Sequence, residues 1–169
     1  MDKKEFILVK LDPNYCNYLR KYDSKVPYNF NNKIDRPFVG ILFKVKDIKY
    51  FAPLSSPKIK HLKLRSKLDL LKIDNGKLGV VNFNNMLPVS DNNIAIIDIN
   101  KQPNSIAEGK YFKLLGEQVY WLNRNADSIH NRAKTLYSKY LEGTLNSHIK
   151  ERCCNFPLLE EKCLAYNKM

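Results

Sequence analysis

A chain of 169 residues with 29 Lys+Arg against 17 Asp+Glu, a formal charge of +12, is long enough for one domain with a real hydrophobic core. At 44% apolar residues and 11% aromatics it lacks the composition of a disordered polymer. No uninterrupted apolar stretch approaches the roughly 18–20 residues that span a bilayer. The opening MDKKEFILVKLDPNY has a short apolar run bracketed by charges and no small-residue cleavage site. It does not read as a secretory signal, and a soluble, cytoplasmic protein is expected.

Residues 6–11 read as a strand. Asp12-Pro13 then supplies an N-cap followed by proline at the first helical position, and Tyr15, Tyr18, Leu19 and Tyr22 keep helical spacing, so a short helix should run to about Tyr22. Residues 24–37 are polar and Asn-rich with Pro27 and Pro37, a long loop of the kind that often carries function. Residues 38–43 and 49–52 flank a turn near Lys46-Asp47 as a hairpin. Residues 68–73 and 77–83 flank Asp74-Asn75-Gly76, whose Asn-Gly signals a second hairpin. Residues 94–99 add a further strand. About five short strands with close turns suggest a small antiparallel barrel. After Asn104 the apolar period changes to that of helices. Tyr111, Leu115, Val119 and Leu122 define one face, and Ile129, Ala133, Leu136 and Tyr140 a second. Gly143 stops that helix, and Pro157 opens a last one through Leu158, Leu159 and Leu164. The expectation is a single α+β domain over residues 1–169, a compact antiparallel barrel core surrounded by mostly C-terminal helices.

The surplus charge is uneven. Residues 44–68 hold eight basic residues and one acid, Asp47, a net of +7 in 25 residues. Lys outnumbers Arg 23 to 6 and there are 19 Asn, a usage typical of AT-rich genomes, but such bias does not explain where the charge sits. Concentrated positive charge favours a polyanion, because neutralised phosphates release condensed counterions. No basic amphipathic helix coincides with the segment, so nucleic acid ranks ahead of a membrane surface. Cys16, Cys153, Cys154 and Cys163 form no CxxC, and His61, His130 and His148 add no metal-ligand spacing. Reduced structural thiols and no metal or cofactor are expected.

The segment Tyr50-Phe51-Ala52-Pro53-Leu54-Ser55-Ser56-Pro57-Lys58-Ile59-Lys60-His61 concentrates the chemistry. A strand ends at Pro53, followed by two hydroxyls, a proline-fixed turn and a cluster of Lys and His. RNA transesterification without metal needs a proton removed from the 2′-hydroxyl, a neutralised phosphorane and a protonated 5′-oxygen. Ser and Lys can hold phosphate oxygens, and Lys, His or Tyr can move protons. Ser-Ser-Pro is also ordinary turn chemistry, and taken alone the segment fits a solvated loop equally well.

The order FVGILFKVKDIKYFAPLSSPKIKH, LGVVNFNNMLPV, YFKLL with Gln118 and Trp121, then CCNFPLLEEKC resembles the ToxN/AbiQ family, the toxins of RNA-antitoxin (type III) toxin–antitoxin systems. The resemblance covers nearly the whole chain. It implies a barrel similar to that of the MazF/Kid toxins and a metal-independent endoribonuclease leaving 2′,3′-cyclic phosphate and 5′-hydroxyl ends. It also implies cleavage of mRNA and of the toxin's own repetitive antitoxin precursor, and inhibition by the bound antitoxin repeat, a small structured noncoding RNA, pseudoknotted, in an RNA-bridged oligomer. Protection against phage by abortive infection goes with it.

By the same resemblance, Ser55, Ser56, Lys58, Arg36 and His61 are the catalytic set. Arg36 clamps phosphate, since an arginine does not act as a base, and Lys58 or His61 exchanges protons. Tyr15, Tyr28, Lys33, Lys60, Lys63, Arg65, Asn85 and Phe156 are the RNA-binding set. Tyr28 or Phe30 substitutes for a family tyrosine whose position falls near Asn32, and Lys60 stands where one relative places an aromatic. Each has a plainer reading. Asn84, Asn85 and Met86 line a groove or simply make a turn; Phe156 touches RNA or staples the last helix; Trp121 packs in the core. Lys110, Lys113, Arg124, Arg132 and Lys134 extend the basic surface or are solvated helix faces. Two further classes stand beside the nuclease: a non-catalytic basic RNA-binding module, and a toxin restrained by a small acidic protein.

Overall fold

The computed structural model describes residues 6–28 and 36–169. The chain is α+β. Strand β1 (Ile7–Leu11) leads into α1 (Pro13–Arg20), and the Asp12 carboxylate caps the Asn14 N–H at 2.9 Å as the sequence suggested. The helix stops two residues short of Tyr22. Strands β2 (Phe38–Gly40), β3 (Lys44–Val45) and β4 (Ile48–Ser55) follow, with Lys46-Asp47 as the tight turn between β3 and β4 and Lys46 at φ 56°. Then come α2 (Ile59–Lys63), β5 (Leu70–Lys72), β6 (Val80–Asn82), β7 (Leu87–Val89) and β8 (Ile94–Ile96). Four helices complete the chain: α3 (Ile106–Arg124), α4 (Ala126–Glu142), α5 (Ser147–Arg152) and α6 (Phe156–Asn167).

All eight strands join one antiparallel sheet in the order β5-β6-β4-β2-β1-β8, with β3 and β7 also pairing β4. β4 is the hub. Its Lys49 opposes Lys44 of β3 on one edge and Val89 of β7 on the other; further along, Ala52 and Pro53 meet β2, and Leu54 and Ser55 meet β6. The path ends at β5 and β8, and no pairing joins these two among the described residues. The sheet is therefore open, where a closed barrel was expected: so many short partners meet β4 that the sheet folds around it without its ends meeting.

Two further differences have local causes. β7 was not expected because Pro88 interrupts its run, yet a proline is tolerated where only one edge of the strand bonds, and β7 pairs β4 alone. The Asn-Gly turn is not a two-residue one. Residues Ile73–Gly76 make a 3-10 turn with Asp74, Asn75 and Gly76 all at positive φ, so the second hairpin is wider than its dipeptide signals.

The core lies between the sheet and the C-terminal helices. Leu115 and Leu122 of α3, and Ile129, Ala133 and Leu136 of α4, are buried on the faces read from their spacing. Gly143 ends α4 in the left-handed region at φ 72°. Tyr50, Tyr137, Tyr140 and Phe156 form an aromatic cluster, ring centroids 5.0–6.1 Å apart, under which Glu160 Oε1 accepts from Tyr50 Oη at 2.8 Å and Tyr137 Oη at 2.6 Å. All four cysteines are free and buried, and burial pushes the Cys16 thiol up to about 12. Among the described residues no helix is long and apolar enough to cross a membrane.

Candidate nucleic-acid interface

β4 ends at Ser55, and Ser56-Pro57-Lys58 turn the chain into α2. Ser55 is half-buried, and its Oγ accepts a hydrogen bond of 3.2 Å from Asn82 Nδ2 across the β4–β6 pair. Ser56 and Lys58 are exposed. Under the turn lies the β5–β6 hairpin, brought close by two glycines. A Cβ on Gly76, at φ +92°, would sit 2.5 Å from the His61 carbonyl oxygen. A Cβ on Gly79, at φ +98°, would overlap the Ser55 carbonyl oxygen and lie 3.2 Å from the Ser56 carbonyl carbon. Backbone-on-backbone packing therefore floors the Ser-Lys turn, and only glycine permits it.

Arg36 approaches from β2. Leu54 N–H donates to Pro37 C=O at 2.9 Å, which brings the residue after Arg36 against the Ser55 end of β4. Arg36 is half-buried, and desolvation lowers its pKa from the usual guanidinium value. Lys77, which the sequence did not single out, shares a shallow depression with Pro57, Lys58, Ile59 and Leu62. Lys60, Lys63, Arg65 and Lys67 are all exposed, so cations run in a band from Lys58 along α2 and beyond it.

His61 has a different place from the one expected. At 2% exposure its Nδ1 accepts the Lys58 N–H at 3.1 Å, which leaves the proton of the neutral ring on Nε2. Burial, then the charges of Lys60 and Lys58, hold its pKa below the usual histidine value. His61 is a neutral strut under the start of α2 rather than an open ring.

Beyond Asn82 a groove of about 360 Å³ runs between the end of α2 and the turn at residues 83–85, its lining made of Leu64 and Leu70 together with Arg65, Lys67, Arg152 and the amides of Asn82, Asn84 and Asn85. Its base is Asp69, which is fully buried. The carboxylate accepts from Arg152 Nε at 2.8 Å and Nη2 at 3.1 Å and from Asn84 Nδ2 at 2.9 Å. Burial on its own raises a carboxyl pKa; the hydrogen bonds from Arg152 and Asn84 outweigh it and hold Asp69 below the usual carboxylate range. Arg132 of α4 donates to the Lys67 carbonyl oxygen and ties down that wall. Of these residues the sequence reading picked out Arg65 and Asn85 as RNA contacts; Asp69, Asn82 and Arg152 carried no local signal.

Two expected RNA contacts are corrected. Tyr15 is fully buried, its Oη donating to the Pro88 carbonyl at 2.6 Å, so it braces α1 against β7 and offers no face to a base. Phe156 is fully buried in the aromatic cluster, the packing role its position opening α6 also allowed. Tyr28 is 52% exposed, with the Arg20 guanidinium 4.8 Å from its ring centroid. Lys33, Phe30 and Asn32 lie outside the described residues.

Residues 7–164 match the family described as "Toxin ToxN, type III toxin-antitoxin system". The chain belongs to this ToxN family. It is 35% identical to an Endoribonuclease ToxN of Bacillus thuringiensis subsp. kurstaki, over 94% of this chain and 82% of the relative. It is 32% identical to an Endoribonuclease AbiQ of Lactococcus lactis subsp. lactis, over 91% and 85%. Among solved structures, it superposes with a TM-score of 0.82, at 31% identity and over 98% and 100% of the two chains, on a structure from a type III toxin–antitoxin system with selective toxin inhibition by a non-coding RNA pseudoknot. AbiQ, a lactococcal anti-phage endoribonuclease of a type III system, gives 0.81 at 28% identity, over 98% and 100%. The ToxN fold thus supplies the frame on which the Ser-Lys turn and the groove are mounted.

Proposed function

We propose that this chain is a metal-independent endoribonuclease toxin, cleaving RNA by transesterification and held inactive by a small structured RNA. The observation that carries it is the Ser55-Ser56-Lys58 turn. It is floored by Gly76 and Gly79, joined to Asn82, flanked by Arg36 and opens onto a band of exposed cations, in a chain whose relatives are named endoribonucleases.

The chemistry follows from these groups. Arg36 and the two hydroxyls grip the phosphate oxygens of a ribose–phosphate linkage and hold the 2′-oxygen in line with the phosphorus. The 2′-oxygen attacks and its proton leaves to solvent; Lys58 Nζ meets the charge building on the phosphorane and protonates the departing 5′-oxygen. The P–O5′ bond breaks, giving a 2′,3′-cyclic phosphate and a 5′-hydroxyl. His61 serves by fixing the Lys58 backbone.

The cationic band and groove also suit a folded RNA, and a relative's selective inhibition by an RNA pseudoknot supports a pseudoknotted repeat as the antitoxin, bridging protomers through RNA. The anti-phage relative supports a role in abortive infection, in the cytoplasm where mRNA is the target. Incubation of purified protein with RNA in excess EDTA, followed by end-group analysis, tests the proposal. Cyclic phosphate and 5′-hydroxyl ends are expected. Uncut RNA, with binding retained, would instead identify a non-catalytic RNA-binding module.

A further inference from the structure

We propose that Gln118, buried in α3, is a positioning residue for RNA cleavage, bracing the turn on which the Ser55–His61 segment rests. Its part in catalysis rests on the ribonuclease reading; the brace itself rests on geometry alone. Gln118 is 1% exposed, so it touches no substrate. Its Nε2 donates to the Leu78 carbonyl at 2.8 Å. That carbonyl can only accept, so the amide cannot be turned over. Among the described residues its Oε1 is the single buried side-chain polar atom without a hydrogen-bond partner. An orphaned buried carbonyl destabilises a fold, and a methionine of nearly the same length would fill the space without it. As core packing Gln118 is a poor choice. What it supplies, and methionine cannot, is the N–H aimed at Leu78.

Leu78 lies in the turn between β5 and β6, which closes on itself. Ile73 N–H donates to Gly79 C=O at 2.9 Å, Leu78 N–H to Ile73 C=O at 3.2 Å, and Gly79 N–H to Gly76 C=O at 3.3 Å. This turn meets both ends of the Ser-Lys segment: Gly79 backs onto the Ser55 and Ser56 backbone, and Gly76 onto the His61 carbonyl. Between those ends His61 Nδ1 holds the Lys58 N–H. Lys77, the neighbour of Leu78, lines the same depression as Lys58.

The other end of the brace is firm. Leu115 and Leu122, one helical turn to either side of Gln118, are buried in the core. A hydrogen bond from this face of α3 to the turn therefore sets where the two hydroxyls and Lys58 stand relative to the rest of the molecule. Without it the β5–β6 pairing and buried Ile73 still hold the turn in the fold, but its height is no longer fixed. In-line attack on phosphorus tolerates little displacement of the groups that align it.

Three measurements test this. Gln118→Met keeps the volume and removes the donor. Its kcat for RNA cleavage should fall roughly 10- to 100-fold with KM within about twofold, because the exposed cations that bind RNA are untouched. Its urea midpoint, in the Lys58→Ala background, should stay near the parent's, since the lost bond is offset by the removal of the orphaned oxygen. Gln118→Glu supplies a pH signature. A protonated carboxyl donates to Leu78 in place of the amide, a carboxylate does not, and burial raises the carboxyl pKa. Relative to the parent at each pH, its kcat should recover severalfold between pH 8 and pH 6, while Gln118→Met shows no such rise. Hydrogen exchange read by mass spectrometry, in the Lys58→Ala background, tests the brace without catalysis. Peptides covering 55–61 and 76–79 should exchange severalfold faster in Gln118→Met, and those of β1 and α4 should not change. Parent-like kcat in Gln118→Met, a loss confined to KM, or unchanged exchange at 55–61 overturns the proposal. So does a kcat loss that follows a fallen urea midpoint and that Gln118→Glu does not recover at pH 6. Faster exchange at 55–61, in a protein whose wild type cuts no RNA, keeps the brace and overturns the ribonuclease reading.

Discussion

Replacing Gly79 by alanine should damage both the fold and the cleavage site, and the size of the effect can be built from the backbone. At φ +98° an L-residue is strained by roughly 1–2 kcal/mol before any contact is considered. The added Cβ then overlaps the Ser55 carbonyl oxygen and lies 3.1 Å from the carbonyl carbon, both backbone atoms that cannot swing aside. Relief requires β4 and β6 to part where Ser55 opposes Val80 and Leu54 opposes Val81. One or two ladder hydrogen bonds at about 1 kcal/mol each bring the total to about 2–4 kcal/mol, a large share of a typical 5–15 kcal/mol stability. Gly116→Ala is the contrasting control. Its Cβ meets only Ile99 Cδ1 at 3.7 Å, inside α3, so it should gain up to ~1 kcal/mol of helix propensity. Urea denaturation of both variants in a Lys58→Ala background measures the pair, and RNA cleavage by Gly79→Ala in the active background should fall because the Ser55 hydroxyl moves with its carbonyl. A Gly79→Ala midpoint within error of the parent protein would refute this account of the turn's floor.

Three further outcomes follow from the same geometry. Lys58→Ala and Ser56→Ala should each cut RNA at least ~10²-fold more slowly while the urea midpoint barely moves, since both side chains are exposed; normal cleavage by Lys58→Ala would refute the site. Asp69 has its pKa lowered in the folded state, so its contribution is complete above the unfolded value of about 3.9 and lost as pH falls through the folded value; Asp69→Asn should flatten the acid limb of a stability–pH curve and lower stability at pH 7 by about 1–3 kcal/mol. His61, also lowered, makes the native state resist protonation, so stability should decline as pH falls from about 6.5 toward the folded value. His61→Gln should remove that slope in thermal melts taken between pH 7.5 and 5.

Local chemistry was legible in the sequence where local chemistry decides the structure. Asp12-Pro13 started α1, Lys46-Asp47 turned the first hairpin, Gly143 stopped α4, and the period of Leu115, Leu122, Ile129 and Leu136 marked the buried helix faces. The open sheet was not, because strand order depends on β4 pairing β6 and β7, further along the chain, as well as its neighbours β2 and β3. Tyr15 and Phe156 look alike as aromatics near basic segments; only the positions of β7 and α4 decide that both rings point inward. The Ser-Lys turn stood out because its residues are contiguous. The groove did not, since Asp69 and Arg152 are 83 residues apart and Asn82 is 27 from Ser55.

That separation has a consequence for biosynthesis. β4, with Ser55 at its tip, leaves the ribosome early, and domains begin to fold as they emerge. The wall of the groove that Arg152 provides arrives only after the great majority of the 169 codons have been read. A chain released between Lys58 and α5 carries the hydroxyls and the lysine but lacks the Arg152 guanidinium that bonds Asp69. The last helices thus act as a quality stamp on translation: a fragment that ends before α5 is born without one wall of the groove beside the serine–lysine turn.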